Sequence, residues 1–155
     1  MVASGTGTKL EELAHELFDV ITRFCLTVPR SRRRNGDLKD IEFLTLSLLH
    51  QRDSLIVGDI QRQLGVLPAQ MSRIIRALEN RTHPLISCRI NTNDKRKIDV
   101  VLTDAGKEAF LDHQVSRIRQ IASVIDRLSD DDRDLLQHLL EKLSAILEPR
   151  GMQTV

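Results

Sequence analysis

The apolar residues of this chain keep a helical step over most of its length and abandon it once. Up to about residue 80 and again after residue 104 they recur every three or four positions, which puts them on one face of a helix. Between them, Leu85-Ile86-Ser87-Cys88-Arg89-Ile90 and Ile98-Asp99-Val100-Val101-Leu102 partly alternate and carry β-branched residues. They flank Asn91-Thr92-Asn93-Asp94-Lys95-Arg96-Lys97, a turn-rich basic tip. Two β-like runs around such a tip predict a hairpin, and no other strand pair is evident.

The helical stretches divide at clear stops. Leu10, Leu13, Leu17, Ile21, Phe24 and Val28 predict a first helix, preceded by a frayed Met1–Thr8 and ended by Pro29. The loop Arg30–Gly36 follows. Asp37 is the expected cap of a second helix carrying Leu38, Ile41, Leu44, Leu48 and Leu49. A third helix spans Val57 to Leu64, with Gly65 where a left-handed C-cap is wanted. Pro68 suits the first turn of a fourth, running to about Asn80. Its apolar positions are Met71, Ile74, Ile75 and Leu78, so Gln70, Ser72, Arg73 and Arg76 face elsewhere. Leu111, Val115, Ile118, Ala122 and Ile125 mark a fifth helix. Ser129 caps a sixth, which holds Leu135, Leu136, Leu139, Leu140, Leu143, Ile146 and Leu147. The expected class is mostly α, in the order α-α-α-α-β-β-α-α. Three regions are expected: 1–36, 37–103 and 104–155.

Net charge at first argues against a polyanion partner, because 23 basic and 22 acidic side chains leave only +1. The distribution says otherwise. Residues 61–97 hold eight basic and two acidic side chains, while 104–149 hold six and ten. A basic middle and an acidic tail point to a local polyanion-binding surface. Two short helices joined at Gly65–Pro68 and followed by a basic hairpin make a winged helix-turn-helix. A helix of this kind enters the major groove, where Arg73 and Arg76, three apart on one face, and Gln70 and Ser72 can reach bases or phosphates. Lys95, Arg96 and Lys97 at the hairpin tip can reach the backbone or minor groove.

Asp94-Lys95-Arg96-Lys97-Ile98-Asp99-Val100-Val101-Leu102-Thr103-Asp104-Ala105-Gly106 fits D-x-R-x-x-x-V-x-L-T-x-x-G. This resembles the wing and following helix start of the MarR (multiple-antibiotic-resistance regulator) family. Asp59-Ile60, Leu64-Gly65-Val66 and Met71-Ser72-Arg73-Ile74-Ile75 resemble its helix-turn-helix, and the element order matches from about residue 10 to 148. The resemblance implies a dimeric, sequence-specific transcriptional regulator, a repressor, that binds double-stranded DNA. By position Arg96 is the wing-tip arginine and Asp94 its brace. The resemblance further implies a pocket for a small apolar or phenolic effector, for which Leu17, Phe18, Ile21, Phe24 and Phe43 are the apolar candidates or else ordinary core. Two departures stand out: Gln61 where a small Ala is usual, and Arg81-Thr82-His83-Pro84 in place of a shorter Gly-containing turn.

The apolar stripes of the first, fifth and sixth helices exceed what a small winged-helix module can cover. A homodimer would bury them and pair two recognition helices; the alternative is an intramolecular three-helix core. Cys25 lies on the first helix, as does the thiol of peroxide-sensing relatives, but the tyrosines that resemble a thiolate cradle in those proteins are missing. The two cysteines form no CxxC, and the five histidines no i,i+4 pair. No metal, cofactor or enzymatic chemistry is expected. No apolar run is long enough for a membrane span, so a cytoplasmic protein is expected. The rival readings are a winged-helix module for protein–protein contact without DNA and a peroxide-sensing regulator acting through Cys25.

Overall fold

The computed structural model describes residues 5–27 and 37–147. They fall into two compact units, divided after Asp37. The first contains one helix, α1 (Gly5–Thr27). It begins ahead of Leu10, taking in Gly5–Thr8, where a frayed end was expected. A first turn needs no apolar period, because its N–H groups have no helical partner in any case. Leu10, Leu13, Leu17, Phe18 and Ile21 are exposed along it. The arginine run 30–34 lies outside the described residues.

The second unit runs α2 (Asp40–His50), β1 (Leu55–Ile56), α3 (Val57–Leu64), α4 (Pro68–Glu79), β2 (Ile86–Ile90), β3 (Ile98–Leu102), α5 (Asp104–Ile125) and α6 (Asp130–Leu147). Its helix α2 is capped at Lys39, not at Asp37. The Lys39 backbone N–H donates to Glu42 Oε2 at 3.0 Å, so a carboxylate three residues on serves the helix start. Leu46 and Thr45, not Leu44, are the α2 residues turned fully inward. In so apolar a helix the sequence period leaves the facing side ambiguous.

The hairpin gains a third strand. The sheet order is β1-β3-β2, all antiparallel. Val100 is opposite Leu55 on one side and Cys88 on the other, and is fully buried. Around it gather Leu46 and Leu49 of α2, Ile60 of α3, Met71, Ile74 and Leu78 of α4, Ile86 of β2 and Phe110 of α5. Phe110 stacks on Phe43 at 5.3 Å and on His50 at 4.4 Å, while His113 stacks on the Phe43 ring at 4.4 Å. These alternating rings, with Arg117 paired to Asp40 at 3.1 Å, zip α5 along α2. Ring contacts of this kind add about 0.5–1.5 kcal/mol each beyond area burial.

The foot of the wing is closely packed. Thr103 Oγ1 accepts from the Gly106 N–H at 3.0 Å, capping α5, and donates to the Pro84 carbonyl at 2.6 Å. The Thr103 N–H reaches the Leu85 carbonyl at 3.1 Å. A Cβ on Gly106 would stand 2.0 Å from that same carbonyl oxygen, so only glycine fits. At the far end of α5, Arg133 donates to the Ile125 and Asp126 carbonyls at 3.3 and 2.7 Å, fixing the turn into α6. Ser129 caps α6 by accepting from the Asp132 N–H at 3.2 Å.

Candidate nucleic-acid interface

The turn between α3 and α4 follows from one residue. Gly65 ends α3 with φ 64° and ψ 32°, the left-handed conformation that costs a side-chain-bearing residue about 1–2 kcal/mol. Its N–H reaches Arg62, and that of Val66 reaches Gln61, both at 3.3 Å. Gln61, larger than the usual Ala, is only partly buried and costs the turn nothing visible. Leu67 then returns the chain to an extended conformation, and Pro68 starts α4 where no N–H partner is needed. Asp59 and Arg62 pair on the outer side of α3.

Two sides of α4 do different things. Met71, Ile74 and Leu78 are buried in the core, which fixes the helix rotationally. Gln70, Ser72, Arg73 and Arg76 are all exposed. The four expected recognition residues therefore share the outward side of one anchored helix. No acidic side chain lies in the first turn of α4, so its positive dipole end stays uncompensated there.

The wing tip is held by an asparagine and an aspartate that sequence reasoning did not single out. Asn91 Nδ2 donates to both Asp99 carboxylate oxygens, at 2.9 and 3.1 Å. Its Oδ1 accepts from the Asn93 and Asp94 N–H groups, each at 2.9 Å. An Asn opening a turn was the available signal; its partner across the hairpin was not visible without the register. Asp94 Oδ1 accepts from the Arg96 backbone N–H at 3.1 Å, whereas the Arg96 Nε stays 4.0 Å away. Asp94 thus shapes the turn more than it holds the guanidinium. Lys95, Arg96 and Lys97 are exposed, and the Arg96 side chain keeps 96% of its surface.

The remaining candidates belong to both units. Leu17, Phe18, Ile21 and the half-buried Phe24 lie on α1, while Phe43 lies on α2 inside the ring stack. Cys25 is exposed. Cys88 is half-buried in β2, and burial, with the Glu79 carboxylate beside it, raises its pKa and keeps the thiol protonated. Among the described residues no cluster of His, Cys, Asp or Glu could hold a metal, and no helix is long and apolar enough to cross a membrane.

Residues 38–98 match the family model of the MarR family. The chain carries a MarR-family domain. The matched stretch runs from Leu38, through α2 and the helix-turn-helix, to the first residue of β3. The HTH-type transcriptional repressor MdtR of Bacillus subtilis (strain 168) is 28% identical over 114 residues, 74% of this chain and 72% of its own length. The structure of BpsR from Bordetella bronchiseptica, whose DNA binding is regulated by 6-hydroxynicotinic acid, matches with a TM-score of 0.63. It is 20% identical and covers 86% of this chain and 98% of its own. Sco3205 of Streptomyces coelicolor, a MarR family transcriptional regulator solved in complex with DNA, matches with a TM-score of 0.64. It is 16% identical and covers 92% of this chain and 90% of its own. At these identities the two structures establish the MarR fold.

Proposed function

We propose that this MarR-family chain is a homodimeric repressor that binds a pseudo-palindromic operator in duplex DNA. The observation that carries the reading is the division of α4. Its apolar side is locked into the core, while Gln70, Ser72, Arg73 and Arg76 are presented outward on a rigid element. Arg binds guanine and Gln binds adenine through paired hydrogen bonds, and either can hold a phosphate instead. Lys95, Arg96 and Lys97 supply a second, exposed basic contact from the wing. Sco3205, solved with DNA, has the same fold.

The dimer is supported by apolar surface that one chain leaves uncovered. No residue of α6 is buried, although Leu135, Leu139, Leu140, Leu143 and Ile146 lie along it. A groove of about 640 Å³ runs along α6 beside the last residue of α5, lined by Ile125, Leu136, Leu140 and Ala145 with Arg133, Gln137, Glu141 and Ser144. A row of exposed apolar side chains along one helix marks a surface for another protein chain. A two-fold pairing would cover it and set two copies of α4 about one helical turn of DNA apart. A small apolar or phenolic effector that changes this spacing would release the operator. BpsR, regulated by 6-hydroxynicotinic acid, gives precedent for a small-molecule input on this fold.

The test is a gel shift on the DNA upstream of this protein's own coding sequence, repeated across a salt series. Specific retention is expected, with log affinity falling linearly against log salt by about 0.9 per phosphate contacted. No retention at any salt concentration would leave the protein–protein module as the surviving reading.

A further inference from the structure

A carboxylate buried in a small domain needs a reason to be there. Glu42 is the one charged side chain that is buried among the described residues, at 4% exposure. Its Oε2 accepts two hydrogen bonds. One comes from the Lys39 N–H at the start of α2, the other from Arg81 Nη2 at 2.8 Å, 39 residues away. Arg81 is itself mostly covered, with 23% of its side chain exposed. It sits in the turn that carries the chain from the end of α4 to the start of β2. That turn is pinned again at its far end, by Leu85 N–H to Leu78 O at 3.0 Å and by Thr103 to Pro84 and Leu85.

We infer that the Glu42–Arg81 pair is the positioning element that sets the wing's angle relative to the recognition helix, and so governs operator discrimination. This rests on the DNA-binding reading above. The lever arm explains why one pair matters. From the start of β2 to the tip is about 20 Å at about 3.3 Å per residue. A tilt of about 10° at the turn would therefore shift Arg96 by about 3.5 Å, more than the length of a hydrogen bond. The turn holds no glycine, Thr82, His83 and Pro84 are exposed in it, and the Glu42–Arg81 pair ties it to α2. Glu42 supplies a fixed reference on α2, a helix that is itself anchored in the core through Leu46 and Leu49.

The experiment compares Arg81→Gln, Glu42→Gln, the double variant and Arg81→Lys with wild type, all first checked for native circular dichroism and cooperative melting. Glu42→Gln keeps an oxygen for the Lys39 N–H, so the helix cap survives. Affinity for the upstream fragment and for random DNA of equal length is measured across a salt series. Either Gln variant is expected to lose about tenfold in specific affinity, equivalent to about 1.4 kcal/mol, with random-DNA affinity and the salt slope unchanged. The double variant should be no worse than the singles, and Arg81→Lys should recover part of the loss. Amide exchange at Leu85 should quicken in the Gln variants. Unchanged specific affinity in folded variants would overturn the inference alone. A salt slope smaller by about one would make Arg81 a phosphate contact and overturn it too. Wild type that retains no DNA would take down the functional reading and this inference together.

Discussion

The winged-helix half of the second unit and its last helix are both rich in leucine and isoleucine, yet they use them oppositely. Leu46, Ile60, Met71, Leu78, Ile86 and Val100 are fully or almost fully buried within the module. Along α6 no residue is buried, and Leu135, Leu139, Leu143 and Ile146 face outward. The same residue types thus complete a core in one place and stay uncovered in the other. Helical periodicity reports that a face wants burial; it does not report what buries it.

Perturbations at the two ends of this comparison should behave differently. Leu46→Ala or Ile60→Ala should cost about 2–5 kcal/mol, read as a lower denaturation midpoint with loss of every function at once. Gly106→Ala should cost about 1–3 kcal/mol or more, because the methyl group meets a backbone carbonyl that cannot step aside. A stability unchanged by this substitution would contradict the close approach at the wing foot. Leu139→Lys on α6 should leave the winged helix folded by circular dichroism while halving the mass seen in sedimentation. Loss of the fold instead would mean that α6 is core within one chain. Arg96→Ala should weaken operator binding by about tenfold, in line with about 1–3 kcal/mol for a good groove contact, and leave the melting temperature within error. Cys25→Ser should change least: DNA binding is expected to be intact with and without peroxide. A peroxide response that this substitution removes would give Cys25 the sensing role.

Much of this was legible in the sequence, for identifiable reasons. The turn at Gly65, the start of α4 at Pro68 and the Ser129 cap are local signals, each complete within a few residues. The outward set Gln70, Ser72, Arg73 and Arg76 followed from knowing which neighbours want burial. What escaped was non-local. Strand β1 is two residues long and exists because Leu55 and Ile56 pair with Val100 and Asp99, more than forty positions on. The Asn91–Asp99 link depends on hairpin register, and Glu42–Arg81 joins residues that no window of sequence brings together. Nor could composition show that Asp94 would grip the Arg96 backbone in place of its guanidinium.

Gly106 has a consequence for motion. With no clearance for a single methyl between α5 and the Leu85 carbonyl, the first turn of that helix and the base of the hairpin have no play between them. Any tilt of α5 at its root is at once a tilt of the wing. Freedom to move one without the other has to come from further along α5, by flexing the helix beyond the ring stack at Phe110 and His113.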